Sequence, residues 1–398
     1  MSSLPAMQHR AERPLAAVVS FSRAARDARV ARQVVLLRSL GYRVLVIAYA
    51  DPNDTIGDIF VPLVELQNPL AIRLSLVAPA LPAKLWSGFA HPAALTSVNS
   101  QRALRALRKH QPCLIHANDW PALAIAARAK DDLDCSLIYD SHEFAAEENA
   151  HSKAWWYLCR KHVMTVERAS ICKADRVVTV SEGIARELAT MYQLREQPTV
   201  VRNLPNYSKT TFRPTGDTIT VLFHGQLHPS RGLESLIDSV AAWTPDRRLL
   251  LRGFGAESYV DSLRQRVRNL GLDERVTFAP AVAQQDVVAY ASEADIGVFT
   301  PATQSRHMLL SLPNKLFEYL MAGLALCVTP GHDREALIRK YDVGAVTAST
   351  YAAELAATIN SISAASLNTW RRNALSAAED LCWEHEQRKL IAVYRSNQ

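Results

Sequence analysis

The sequence predicts an α/β protein of two Rossmann-like, doubly wound domains, on three observations: its length, a regular alternation of short β-branched runs with helical periodicity, and one break in that alternation. At 398 residues the chain exceeds the size at which a single hydrophobic core usually keeps growing, so two domains are expected. Runs rich in Val, Ile and Leu recur between amphipathic stretches, the pattern of parallel strands joined by helices rather than of a barrel or a bundle. The break is Tyr207 to Asp217, where Pro214 and Gly216 stand in a stretch without periodicity.

In the first half, strands are predicted at Leu15–Ser20, Arg43–Ala48, Leu114–His116, Ser136–Tyr139, Arg176–Val180 and Thr199–Val201. In the second half they are predicted at Thr218–Phe223, Arg248–Leu251, Arg275–Phe278, Ile296–Phe299 and Leu324–Val328, each followed by a helix-compatible stretch. Ten of the 14 glycines fall after residue 215. Glycine serves where a backbone turns tightly or approaches a phosphate, so a nucleotide site is expected in the second half, although each glycine taken alone is equally a turn residue.

Hydrophobic residues at 48% and charged residues at 21% describe a folded chain rather than a disordered one. Forty-five Lys and Arg against 39 Asp and Glu give a formal charge of +6, a mild bias that suits anionic ligands or an anionic membrane surface. The basic residues are scattered, so nucleic acid is not expected as a partner. The six cysteines, Cys113, Cys135, Cys159, Cys172, Cys327 and Cys382, form no C-x-x-C pair, so reduced thiols are expected and neither zinc nor disulfides. Met1 to Pro14 is polar, with Arg10, Glu12 and Arg13, unlike a secretory signal, and no apolar run reaches about 18 residues. A cytoplasmic protein is the expectation.

The strand Val221–Phe223 runs into His224-Gly225-Gln226-Leu227-His228-Pro229-Ser230-Arg231-Gly232 and then a helical run. Ligands of open parallel sheets sit beyond the carboxyl ends of strands, where a helix N-terminus offers free N–H groups. Arg231 adds a forked cationic donor for phosphate, or is a solvated surface residue. In Ser311 to Gly323, Pro313 reads as a helix start that points the amides of Asn314 and Lys315 at an anion. Glu318 lies one turn beyond Asn314, placed to accept from two ribose hydroxyls; the alternative is an exposed Lys315–Glu318 ion pair. Gly253-Phe254-Gly255 reads as a turn between a strand and a helix, with room for a nucleobase or simply a helix-start loop. In Tyr139-Asp140-Ser141-His142-Glu143, a neutral His142 imidazole could bond a sugar hydroxyl or serve structurally on a nearby carbonyl. Asp119, after His116, reads as a helix N-cap.

Taken in order, Asp27-Ala28-Arg29-Val30, Tyr139 to Glu143, Thr179-Val180-Ser181-Glu182, Val201-Arg202-Asn203, Gly225 to Gly232, Gly253 to Gly255 and Pro313 to Gly323 resemble the retaining glycosyltransferases of the glycogen-synthase-like class, family 4. The resemblance implies the GT-B fold, two domains facing across a cleft, with 1–207 on the acceptor side, 218–375 binding the nucleotide sugar, and a C-terminal helix over 376–398 packing back toward the first domain. It also implies transfer of a sugar from a nucleotide-diphosphate sugar, with retention, to a glycan, lipid-linked or small-molecule acceptor, with no cofactor and no metal. The residues so implicated are His142, Arg231, Lys315 and Glu318 for catalysis, and Gly225, Gln226, Arg231, Gly253, Gly255, Asn314, Lys315 and Glu318 for the donor. The sequence departs from the family in three places. The usual phosphate-binding Arg and Lys fall on Gln226 and Arg231; the first glutamate of E-x7-E falls on Leu310; the acceptor-side glycine loop is replaced by Ser20-Phe21-Ser22-Arg23-Ala24. Two of these motivate the alternative of a non-catalytic scaffold, and a nucleotide-sugar epimerase is a third reading. Ala80 to His110 mixes Leu, Trp86 and Phe89 with Lys and Arg, which suits peripheral contact with the inner face of a membrane or an apolar face packed on its own domain.

Overall fold

A computed structural model of the chain describes residues 13–50, 56–65, 90–148, 152–302 and 305–396. It divides into two compact units, one made of Met1–Val178, Leu188–Thr199 and Val393–Gln398, the other of Thr179–Glu187 and Val200–Ala392. Each is built on its own sheet.

The first sheet contains β1 (Leu15–Val19), β2 (Arg43–Tyr49), β3 (Ile59–Leu63), β4 (Leu114–Asn118), β5 (Ser136–Ser141), β6 (Arg176–Thr179) and β7 (Thr199–Val200), in the order β3-β2-β1-β4-β5-β6-β7. The pairs β1–β2, β1–β4, β2–β3 and β4–β5 are parallel. Ala16 to Val19 and Val44 to Ala48 are fully buried, as strands covered on both faces must be. The strand order reverses between β1 and β4, the kind of position where open α/β sheets present ligand sites.

The second sheet contains β8 (Ile219–Leu227), β9 (Arg247–Gly255), β10 (Val276–Pro280), β11 (Ile296–Phe299), β12 (Ala325–Val328) and β13 (Gly344–Val346), in the order β10-β9-β8-β11-β12-β13, parallel throughout. Its strands feed two cores by strict alternation. Val221 and Phe223 enter one and Leu222 the other; Ala325 and Cys327 enter the first, and Leu326 and Val328 the second. Here the order reverses between β8 and β11.

Two strands are not foreseen by the sequence pattern. β3 is an edge strand carrying Pro62, and proline in a run counts against a strand unless it lies at an edge. β13 is three residues long, too short to show alternation. The helix Ala364–Asp380 closes at Leu381, and a separate helix, Trp383–Arg395, follows, so 376–398 is not one helix. The break is bonded in place, Trp383 N donating to Pro205 O at 2.8 Å. Of the basic amphipathic stretch, 80–89 lies outside the described residues. Its described part includes the helix Val98–His110, which buries Ala103, Leu104, Ala106 and Leu107 and leaves Arg102, Arg105, Arg108 and Lys109 exposed.

Candidate functional site

In the second unit the helix Asn314–Met321 begins directly after Pro313, which is its N-cap rather than its first helical residue and makes no side-chain cap bond. The first amides of that helix therefore have no intrahelical acceptor. The second residue of the helix, Lys315, folds back toward the end of β8: its ammonium donates to His224 O at 2.8 Å and lies 3.8 Å above the Phe223 ring. Gly225 adjoins it. At φ +115, a backbone conformation L side chains rarely adopt, a Cβ there would lie 3.4 Å from Lys315 Nζ.

Arg231 shares this space. The turn Pro229–Arg231 leads to Gly232, at φ +68, which caps the helix Leu233–Val240. A Cβ on Gly232 would fall 2.1 Å from Thr300 O just past β11, so only glycine lets this turn seat at the point where the strand order reverses. Among the described residues the Arg231 side chain has no hydrogen-bond or ion-pair partner. Its charge, after burial itself, pushes the Lys315 ammonium down, to about 7, with Glu318 opposing. Two basic side chains influence each other here, and among the described residues no carboxylate bonds to either.

Glu318 completes the face. Its Oε2 lies 2.8 Å from His224 Nε2, and its Oε1 accepts from Gln284 Nε2 at 2.9 Å. Burial would raise this carboxyl, but the bonds from His224 and Gln284 and the nearby cations outweigh it, so it sits below the usual range. The Lys315–Glu318 ion pair is not formed; each side chain bonds elsewhere. Asn314 and Gln226 are exposed. Leu310, in place of an expected glutamate, is packed on the turn before the helix Glu182–Tyr192: its carbonyl accepts from Ser181 Oγ at 2.9 Å, and a Cβ on Gly183 would fall 2.8 Å from its side chain.

The Gly253-Phe254-Gly255 segment is not a turn. It is the end of β9, in register with β8 as Gly225↔Gly253 and Leu227↔Gly255. A Cβ at Gly253 would stand 1.8 Å from Gly225 O, and one at Gly255 would stand 2.3 Å from Leu227 O. The glycines are required by the close approach of two strands, which sequence spacing cannot distinguish from a loop.

In the first unit a second polar cluster forms where β4 and β5 end. Arg29, from the helix Ala28–Ser39, holds Asp140 with a two-pronged grip, Nε to Oδ2 at 2.8 Å and Nη2 to Oδ1 at 2.7 Å, with 5% and 0% of the side chains exposed. Gln33 Nε2 donates to Asp140 and to Asn118, and His116 joins Asp140 at 3.3 Å and Tyr394 Oη at 3.0 Å. Burial works against the Asp140 charge, yet Arg29 and the histidines keep its carboxyl well below the usual range. His142 Nε2 lies 2.9 Å from Asn118 Oδ1, and Nδ1 lies 3.4 Å from Asp119 Oδ2. Burial opposes its protonation, but Asp119 and Asp140 overcome that and raise it to about 9. His142 bonds a nearby carbonyl, that of the Asn118 side chain, while Asp119 and Asp140 favour the protonated ring over the neutral one expected. Asp119 is corrected too. Asn118 is the N-cap, while Asp119, at φ 63, turns its carboxylate to the backbone N–H and ring of His142.

The structure thus brings Gly225, Arg231, Lys315 and Glu318 together in one unit and places His142 in a separate cluster of the other. Sequence reasoning missed His224, Gln284, Arg29 and Gln33 as site-forming residues. Polar side chains at the end of an otherwise apolar strand, as at His224, were the available signal.

A glycosyl transferase 4-like domain matches residues 27–204, and a glycosyl transferases group 1 domain matches residues 218–364. The chain is 24% identical over 324 residues to the D-inositol 3-phosphate glycosyltransferase of Mycolicibacterium vanbaalenii, covering 73% of this chain and 69% of that one. It is 27% identical over 316 residues, with the same coverage, to the protein of that name from Mycobacterium sp. strain KMS. Among solved structures it is similar to Anabaena HepE in complex with UDP and glucose, with a TM-score of 0.71 at 18% identity over 97% of this chain and all of that one. It is also similar to the sucrose-phosphate synthase of Thermosynechococcus elongatus, with a TM-score of 0.74 at 17% identity over 96% and 99% of the two chains. Two Rossmann-like units, matched in turn by the two glycosyltransferase domain models, make this chain a member of the glycosyltransferases of the GT-B class.

Proposed function

We propose that the protein transfers a sugar from a nucleotide-diphosphate sugar to an acceptor, with retention at the anomeric carbon, and that the second unit holds the donor. The observation that carries this reading is the placement of the Lys315 amine at His224 O beside Gly225, in the second residue of the helix Asn314–Met321 with its open first amides, near enough to Arg231 for that charge to disfavour its own until an anion joins them. A diphosphate supplies that anion. Arg231 gives a planar fork and Lys315 a point charge, and the open amides at the start of Asn314–Met321 add a third kind of donor. Glu318 accepts from the ribose hydroxyls.

As the bond to the sugar breaks, negative charge grows on the leaving diphosphate. Preorganised cations stabilise that growth more than they stabilise the ground state, which lowers the barrier. With this positive charge supplied by side chains, the proposed step has no need of a metal ion or cofactor. The leaving diphosphate takes the acceptor's proton on the face where the new bond forms, so no enzymic nucleophile is invoked. HepE, of similar fold, is described with UDP and glucose, which favours a uridine donor. The acceptor is proposed to be a glycan, a lipid-linked intermediate or a small molecule, met in the cytoplasm or at the inner face of a membrane. No helix among the described residues is long and apolar enough to cross one.

The test is a thermal-shift screen of UDP-, GDP- and ADP-sugars on wild type, Arg231→Ala and Lys315→Ala, followed by an assay of nucleoside diphosphate release with and without acceptor mixtures. One nucleotide sugar is expected to stabilise wild type and neither variant. Equal stabilisation of all three proteins would end the diphosphate assignment. Donor conversion without any acceptor would point to an epimerase, and tight donor binding without turnover to a scaffold.

A further inference from the structure

His224 is bonded at three points to one face of the helix that carries the donor-binding residues. Its carbonyl accepts from Lys315 Nζ at 2.8 Å, its backbone N–H donates to Tyr319 Oη at 3.1 Å, and its ring Nε2 lies 2.8 Å from Glu318 Oε2. Lys315, Glu318 and Tyr319 stand at i, i+3 and i+4, so a single residue at the end of β8 meets all three. The imidazole cannot swing away. Its side chain is 9% exposed, and it stacks at a tilt on Tyr319 with ring centroids 4.6 Å apart. Tyr319 is itself held, its ring buried beneath Gly297, where a Cβ would come within 2.3 Å of it.

We propose that His224 is a positioning residue for nucleoside recognition: its ring, with Gln284 opposite, locks the Glu318 carboxylate in the orientation that reads both ribose hydroxyls. The reason is a count of acceptor sites. A carboxylate offers about four lone-pair positions, two on each oxygen. His224 takes one on Oε2 and Gln284 takes one on Oε1. One position per oxygen is left, matching a pair of adjacent hydroxyls on one sugar ring. Without the His224 ring, Glu318 is free to rotate or to turn toward Lys315, three residues before it, and the paired geometry is lost although the carboxylate remains. His224 touches no substrate in this arrangement; it acts through Glu318.

This inference rests on the proposed donor site, and the experiment separates the two. Affinities for UDP, 2′-deoxy-UDP and inorganic pyrophosphate, and for the matching GDP pair, would be measured by calorimetry on wild type, Glu318→Ala, His224→Ala and His224→Gln. Wild type is expected to prefer the ribonucleotide over its 2′-deoxy form by roughly 10-fold or more, the worth of a hydrogen bond to a charged group. Glu318→Ala and His224→Ala should both reduce that ratio to about 1 while pyrophosphate affinity stays near the wild-type value. His224→Gln, which keeps a donor at the end of its side chain, should restore most of the preference. A merely structural role would weaken UDP, 2′-deoxy-UDP and pyrophosphate alike and leave the ratio unchanged. If Glu318→Ala abolishes the preference and His224→Ala keeps it, the positioning role is overturned and the ribose contact stands. If wild type shows no preference, the ribose contact and the role built on it both fall.

Discussion

In the first unit the Arg29 guanidinium closes both prongs on Asp140, whereas in the second unit the Arg231 charge bears on Lys315 and, among the described residues, no carboxylate bonds to either. Both clusters lie at the carboxyl ends of parallel strands beside a reversal of strand order, and both mix Arg, His and an acid. What differs is satisfaction. Asp140 has partners in Arg29, Gln33 and His116, so its charge is met without a ligand. The second cluster is complete only around Glu318, and burial disfavours the Lys315 charge with no anion yet beside it among the described residues. A fold stabilises itself with the first arrangement and binds with the second.

That contrast gives opposite signs to matched substitutions. Asp140→Ala strands the Arg29 charge in the interior and is expected to cost about 3–5 kcal/mol of stability, read as a large drop in the urea midpoint. A midpoint within error of wild type would mean the pair is not buried as described. Lys315→Ala removes a half-buried amine whose charge a neighbouring cation already disfavours, so ligand-free stability should stay level or rise. The same substitution should weaken UDP or UDP-sugar binding by roughly 10- to 100-fold, the worth of a charge-assisted bond. Comparable destabilisation by the two variants would erase the distinction between the clusters.

Protonation sharpens it further. Lys315 is lowered from 10.5 to about 7 in the folded chain, so between those values the unfolded chain holds the extra proton. Stability of the ligand-free protein should therefore rise with pH from about 7 to about 10.5, and this rise should vanish in Lys315→Ala. An arriving diphosphate favours the protonated amine. Calorimetry in buffers of different ionisation enthalpy should detect proton uptake on binding above pH 7, and none in the variant. His142 behaves in the reverse sense. Raised from 6.5 to about 9, it contributes stability that is full below 6.5 and is lost as pH climbs through 9. This smallest effect is best followed as the NMR titration of the ring; a midpoint near 6.5 would sink the assignment of a cationic His142.

Much of this could be read along the chain. The alternation of strands and helices and the Pro313 to Glu318 segment carry local signatures: β-branched runs, proline, and polar residues at fixed helical spacing; the break at Tyr207 to Asp217 lies inside the second unit, which takes in Val200–Ala392 and Thr179–Glu187. The edge strand with Pro62 was hidden because proline speaks against a strand unless its edge position is known. Gly253 and Gly255 were misread as a turn because a glycine required by a neighbouring strand looks, in one dimension, like a glycine required by a bend. Asp119 was misread as a cap because its partner, His142, lies just past the end of another strand, β5.

The linear order of residues therefore determined the class of fold, the division into two parts and the amino acids able to grip a phosphate, since each depends on contacts within a few positions. It could not determine charge state or pairing. Whether His142 is neutral, whether Glu318 faces Lys315 or His224, and whether an arginine ends in an ion pair or stands open depend on groups that meet only when β4 is laid beside β5 in the first sheet and the helix Asn314–Met321 against β8 in the second. Electrostatic interactions of that kind are set by distance and burial in space, and tertiary structure alone decides both.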